Sequence, residues 1–355
     1  METFDGQFVD IGIITVKALL YYGQRDIRLE EIAVPKCGPD EVRIKVTHSG
    51  ISQTHINEFI EGPFIINADP HPVTGHKIPL IPGHEFGGTI EAVGDPSNEH
   101  LIGQQVAVLP RISCGECYTC QQGKENICEQ LVYIGLAGAH GGFAEYAVVD
   151  KRNTFPVEDT ALMSFVEPIL VGIHVGRMLG TDLHKCSTLL LGAGGVGISV
   201  ATVLKYYYGM DITIADFLPN RLSIAAAEFE TIHKDDIEEK YDIVIDCAGS
   251  DPASQETALL ESFKYVHTGG TILSVGVYFH PVTFVPATLT LAEIQLRSSF
   301  AYSPQDEQLL PEVLAAIPIK FEQFIEEVSL EDLVEEGYYR SEVDKDSLIR
   351  IVARP

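Results

Sequence analysis

No run of apolar residues in this 355-residue chain is long enough to cross a membrane as a helix. The first fifteen residues lack the basic start of a secretory leader and instead carry Glu2, Asp5 and Asp10. They read as a short extension before a first strand at Val16–Tyr21, and the expected address is the cytoplasm. Basic residues are scarce, 24 Lys and Arg against 51 Asp and Glu, a formal charge of −27. Such a field repels nucleic acid and anionic membranes and favours solubility, so neither is expected as a partner. Internal repeats and low-complexity linkers are also missing. What remains is a soluble chain with 45% hydrophobic residues, long enough for two domains.

The two halves differ in texture. The first holds short strands, such as Val42–Thr47, Gly88–Val93 and Gln105–Val108, punctuated by Gly, Pro and Asp. From near Glu167 onward, helix-like stretches alternate with apolar strands at Thr188–Leu191, Asp211–Ala215, Asp242–Cys247 and Thr271–Val275. That alternation predicts an α/β fold with a doubly wound parallel sheet beside a mainly β domain. A last strand, Leu348–Val352, follows an acidic helix-like stretch from Leu330 to Tyr339.

The strand Thr188–Leu191 runs into Gly192-Ala193-Gly194-Gly195-Val196-Gly197, and an apolar stretch from Ile198 to Tyr208 follows. This is the G-x-G-x-x-G spacing in the strand–turn–helix setting that dinucleotide binding requires. Gly192 permits the tight turn, Gly194 lets backbone approach a pyrophosphate, and Gly197 lets helix pack on strand. The pyrophosphate then sits at a helix N-terminus, where free N–H groups and the dipole favour negative charge. Asp216 ends the next strand, 19 residues past Gly197, where a carboxylate accepts both ribose hydroxyls and repels a 2′-phosphate. NAD is therefore expected over NADP, with Gly192, Gly194, Gly195, Val196, Gly197, Asp216 and Arg221 as its contacts. A purely structural glycine turn with an ordinary strand-end carboxylate is the plainer alternative.

Seven cysteines matter by spacing. Four of them, Cys114, Cys117, Cys120 and Cys128, fall within 15 residues, whereas Cys37, Cys186 and Cys247 are scattered and read as small buried hydrophobes. In a reducing compartment clustered thiols point to metal. Four thiolates around one tetrahedral Zn²⁺ make a closed, structural site with no open position. An iron–sulfur cluster is the competing metal reading, since the first three spacings suit one too.

From about Val16 onward the chain resembles a medium-chain, zinc-type alcohol dehydrogenase. The marks are Gly83-His84-Glu85-Phe86, the four-cysteine lobe, Gly141-Gly142-Phe143-Ala144-Glu145-Tyr146, Glu167-Pro168 and the glycine turn. The connection from Glu61 to Pro82 resembles the butanediol branch, and Glu167-Pro168-Ile169-Leu170-Val171-Gly172-Ile173-His174 the sorbitol branch. The resemblance implies a GroES-like catalytic domain at 1–166 and 303–355, with the cysteine lobe near 111–130, and an NAD-binding domain at 167–302. It implies a homodimer or homotetramer, and hydride transfer between NAD and a secondary alcohol, diol or polyol.

One segment departs from that family. Its members hold a catalytic zinc with the Cys of a Gly-Ile-Cys segment, the His of Gly-His-Glu, and a further Cys or Glu. Here His84, Glu85 and Glu167 match, but Gly50-Ile51 is followed by Ser52. The Asp usually found three residues later is His55, and the relay His is Asn57, while Thr54 matches the hydroxyl residue. A neutral serine binds Zn²⁺ far less well than a thiolate. Two readings follow. Either His84, Glu85 and Glu167 suffice as a catalytic metal site, with Ser52 or His55 completing it, or the metal is gone. In the second case the chain is a zinc-independent reductase of activated alkenes, quinones or imines, or a non-catalytic NAD-binding protein. His55 reads as a polar loop residue and as a substitute proton route for Asn57, and His174 as a satisfied core or cleft histidine.

Overall fold

The computed structural model describes residues 3–4, 7–8, 14–180, 183–249, 257–346 and 349–355. Two sheets organise it. The first has seven strands in the order Thr154–Pro156, Gln105–Val108, Glu85–Val93, Glu41–Gly50, Arg350–Arg354 and Ile325–Ser329, with Tyr146–Asp150 also paired to Glu41–Gly50. The second has six, in the order Glu230–His233, Ile212–Asp216, Thr188–Leu191, Tyr241–Asp246, Val266–Ser274 and Gln295–Ser298. Every pair in this second sheet is parallel. Numbered along the chain its order is 3-2-1-4-5-6, the doubly wound dinucleotide-binding arrangement.

The central parallel strands carry apolar runs, and Leu189, Leu190, Val244, Ile245, Ile272 and Leu273 are completely buried. That is the pattern expected of a sheet covered on both faces. In such a sheet ligands bind beyond the carboxyl ends where the strand order reverses. Here that point lies between Thr188–Leu191 and Tyr241–Asp246, and it presents Gly192 on one side and Cys247-Ala248 on the other. The helix Val166–Leu179 packs on Gly195–Tyr206, so Glu167 in its first turn is delivered beside the glycine turn.

Most predicted strands are present with ends shifted by a few residues. The first described strand past residue 14 is Thr15–Gly23, paired with Asp26–Ala33 in a hairpin that the sequence reading missed. The last strand is Arg350–Arg354 rather than Leu348–Val352, and Leu348 lies outside the described residues. Leu333–Tyr339, within the acidic stretch, winds as a π-helical segment. Among the described residues no helix is long and apolar enough to cross a membrane.

Candidate active site

The glycine turn takes its shape from steric limits. Gly192 has φ 105°, a left-handed conformation costly for any side chain, and a Cβ on Gly197 would lie 1.9 Å from the Gly192 carbonyl oxygen. Gly194 caps the helix Gly195–Tyr206 without a side chain, leaving the first-turn N–H groups open toward a cleft of about 340 Å³. Asp216 lines the same cleft. Its Oδ2 accepts the Ala193 N–H at 2.7 Å, and its Oδ1 accepts those of Phe217 and Leu218 at 2.7 and 3.0 Å. The carboxylate therefore braces the turn that it faces. Arg221, on the helix Pro219–Ala225, lines the cleft too. Burial lowers its pKa, opposed by the nearby Asp216 charge.

A second cavity of about 200 Å³ adjoins the first, and Ser52, Gln53, Glu85, Val196, Cys247, Ala248 and Gly249 line both. The second is mostly apolar, with His84, Glu85 and Glu167 on one wall and Thr54 and Asn57 on another. The ligand-type atoms of His84, Glu85 and Glu167 lie within 4.8 Å of one another, all three buried. Burial pushes His84 well below the usual imidazole pKa, and the His55 and Arg350 neighbours add to this. Burial raises Glu85, against the pull of Arg350, and raises Glu167 to about 8, with the Glu85 charge adding to the shift. Two buried carboxylates here face one guanidinium. When both are ionised one negative charge is in excess, which either a proton or a cation must balance.

Two partners of this cluster were not read from the sequence. Arg350, from the last strand, donates to Glu85 Oε2. The Tyr133 hydroxyl, 34 residues from Glu167, donates to its Oε1 at 2.5 Å. Spacing carries no signal for either contact. Asp246 was missed as well. It is completely buried, accepts the Ala248 and Gly249 N–H groups at 3.1 Å and the Tyr278 hydroxyl at 2.6 Å, and so fixes a wall common to both cavities.

The Ser52 segment differs from expectation. Ser52 caps the helix Gln53–Glu61, its Oγ accepting the His55 N–H at 3.3 Å while its own N–H donates to His55 Nδ1 at 3.2 Å. His55 is no polar loop residue. It sits on that helix, 1% exposed, with Nε2 at 3.1 Å from both the Gly83 nitrogen and His84 Nδ1. Burial pushes its pKa down to about 3. The ring stands behind His84 and lines neither cavity. Nδ1 lies 3.2 Å from both the nitrogen and the Oγ of Ser52, and Nε2 has the Gly135 carbonyl at 3.4 Å beside the Gly83 N–H, so the ring itself does not reach the cleft and its path there runs through the Ser52 hydroxyl. His174 is buried, with Nδ1 at 2.9 Å from Asp306 Oδ2 and Nε2 at 3.4 Å from Asn126 Nδ2.

The four cysteine sulfurs of the lobe approach one another at 3.4 to 3.9 Å. Tetrahedral Zn²⁺ with Zn–S bonds of about 2.3 Å would separate its sulfurs by about 3.8 Å, so the donor set fits that ion. Backbone N–H groups of Cys114 and Gln130 point at Cys128 Sγ, and that of Cys117 at Cys114 Sγ, as thiolates require.

A 3-2-1-4-5-6 parallel sheet with a glycine turn at its switch point, opening into a buried acidic pocket, defines a dinucleotide-dependent enzyme fold. Comparison with known proteins makes this specific. Residues 38–159 match the alcohol dehydrogenase GroES-like domain. D-arabinitol dehydrogenase 1 of Uromyces fabae is 31% identical over 307 residues, 80% of this chain and 82% of that protein. (R,R)-butanediol dehydrogenase of Neisseria gonorrhoeae is 28% identical over 96% of this chain and 99% of that one. The crystal structure of 2R,3R-butanediol dehydrogenase from Bacillus subtilis superposes with a TM-score of 0.82 at 26% identity, covering 96% of this chain and 99% of that one. The chain belongs to the zinc-type medium-chain alcohol dehydrogenase family and resembles its butanediol and sorbitol dehydrogenase branch.

Proposed function

We propose that this enzyme transfers hydride between NAD and a secondary alcohol, diol or polyol, assisted by a divalent metal, zinc by family resemblance. The observation that carries the reading is the shared wall. The glycine-turn cleft and the pocket holding His84, Glu85 and Glu167 open onto each other through Ser52, Glu85, Val196 and Cys247. A nucleotide in the first cavity and a substrate in the second would meet there.

His84, Glu85 and Glu167 would hold the metal, and the excess negative charge of the cluster suits a cation. A bound divalent ion would polarise the substrate oxygen, and a bound nicotinamide would take or return the hydride. The rest falls to the chain. The first-turn N–H groups after Gly194 receive the pyrophosphate. Asp216 accepts from the ribose hydroxyls and disfavours a 2′-phosphate. Leu131, Leu136, Val171, Val275 and Val277 form apolar walls that exclude water. Ser52 and Thr54 offer hydroxyls at the cavity for hydrogen bonding and the first leg of proton exit, while Asn57 carries no proton. Cys114, Cys117, Cys120 and Cys128 would hold a structural zinc, and assembly as a homodimer or homotetramer belongs to the same reading.

One observation favours a rival. Glu85 already has a counterion in Arg350, and the Ser52 oxygen already accepts the His55 N–H as a helix cap, as in a pocket that needs no metal. Metal content measured against turnover of diols, polyols and their ketones separates the two. Two metals per chain, with activity lost when His84 is replaced by Ala, is the expected result. Full NADH-dependent turnover with one zinc per chain, indifferent to loss of His84, would overturn it and promote a zinc-independent reductase.

A further inference from the structure

The cysteine lobe leaves and rejoins the body through two short antiparallel strands, Arg111–Ile112 and Val132–Tyr133, with Arg111 opposite Tyr133. Its outgoing segment does more than close the lobe. Leu131, Tyr133, Leu136 and Ala137 form one wall of the acidic pocket. The path from sulfur to pocket is short and continuous. Cys128 Sγ accepts the Gln130 N–H at 3.3 Å, the Cys128 carbonyl accepts the Leu131 N–H at 3.2 Å, and two residues later Tyr133 donates to Glu167 Oε1 at 2.5 Å. The Tyr133 ring also packs edge-on against His84, with centroids 5.7 Å apart. One side chain thus touches two members of the acidic cluster from a strand whose position the lobe fixes.

We propose that Tyr133 is a positioning residue for Glu167 and His84, and that the four-cysteine lobe acts through it, so that metal held in the lobe governs metal affinity in the acidic pocket. This rests on the reading of His84, Glu85 and Glu167 as a metal site. The phenol occupies Oε1 of Glu167 and orients the carboxylate so that its other oxygen serves the cluster. Outer hydrogen bonds of this kind change metal affinity by about tenfold or more. The lobe on this account is one partner in a coupled pair of sites, and coupling of this sort must be reciprocal.

Mn²⁺ alone is the probe, followed by loss of the free-ion electron paramagnetic resonance signal on titration. It suits imidazole and carboxylate and competes poorly for thiolates, so it reports on the acidic pocket while zinc holds the lobe. Tyr133→Phe, which removes one oxygen, should weaken Mn²⁺ binding about tenfold, and Glu167→Gln should abolish it. Cys120→Ser should weaken it about tenfold in the unaltered background and less than about twofold in the Tyr133→Phe background, the non-additivity of residues on one path. Should Cys120→Ser not fold, Gln130→Pro takes its place in the cycle, deleting the N–H that Cys128 accepts. A wild-type protein that takes up no Mn²⁺ overturns the metal reading itself. Mn²⁺ bound equally by wild type and Tyr133→Phe overturns the positioning role alone, and equal lobe effects in both backgrounds overturn the coupling.

Discussion

Arg350 donates from the last strand to Glu85 at the start of another, across 265 positions of sequence, with both side chains almost fully buried. The same guanidinium reaches the nucleotide cleft, since a Cβ on Gly195 would lie 2.7 Å from its Nη1. It also stands over the Phe165 ring at 4.8 Å. One cation therefore borders the acidic pocket and the glycine turn together.

Removing it leaves a buried carboxylate without its partner. Arg350→Gln should cost about 3–5 kcal/mol of stability, read by denaturant unfolding. It should also weaken NADH binding in a fluorescence titration. A variant that unfolds like the wild type would show that Glu85 is held protonated instead.

Asp216 braces the glycine turn, and the proposed ribose contact adds a second task that substitution can separate from the first. Asp216→Asn keeps an acceptor oxygen but loses the charge. It should narrow the preference for NADH over NADPH, measured as the ratio of dissociation constants. Asp216→Ala should narrow it too, and should in addition lower stability by about 1–3 kcal/mol, because the Ala193, Phe217 and Leu218 N–H groups lose their acceptor. Equal affinities in the unaltered protein would sink the assignment.

What the sequence made legible was local. The glycine turn and the cysteine lobe each lie within 15 residues, and their chemistry follows from spacing that any chain must respect. The parallel strands announced themselves as apolar runs because they are buried on both faces. The partners of the acidic cluster did not, because Arg350–Glu85 and Tyr133–Glu167 are set by how strands and helices meet. The cap at Ser52 could have been found. Ser followed by Ile56, Phe59 and Ile60 at helical spacing is an N-terminal signal, but His55 stands where the usual pattern has Glu or Gln.

That cap tempers the obvious repair of the metal site. Ser52→Cys should raise retention of a second metal under mild chelation, since a thiolate replaces a hydroxyl. It should also lower stability by about 1 kcal/mol, because sulfur replaces the oxygen that caps Gln53–Glu61. Metal analysis beside thermal melting checks both halves, and unchanged metal content would exclude Ser52 from the coordination sphere.

The lobe makes a simpler demand. Cys120→Ser should release close to one zinc per chain and lower the melting temperature, with little change in preference among alcohols. A variant that keeps its metal and melts normally removes the four-thiolate site.

Acid stability is the fifth test. Burial alone would raise the pKa of Asp306, but hydrogen bonds from His174, Ser303 and Arg177 outweigh it and hold the carboxyl at about 2. A depressed carboxyl stabilises the fold above its unfolded value of about 3.8, and that contribution is lost as pH falls toward 2. Asp306→Asn should therefore be less stable than wild type by about 1–2 kcal/mol at neutral pH, with the difference shrinking between about pH 4 and pH 2. Unfolding curves across that range decide it.

The strand Arg350–Arg354 lies between Glu41–Gly50 and Ile325–Ser329, not at an edge. During synthesis, a ribosome that has delivered 300 residues has made the parallel sheet, the cysteine lobe and all three members of the acidic cluster. It has not yet made the last two strands of the other sheet, Ile325–Ser329 and Arg350–Arg354, nor the guanidinium that neutralises Glu85. Until then the nascent chain carries an incomplete sheet and a carboxylate without its guanidinium, so the active site can be assembled only after Arg350 has been made.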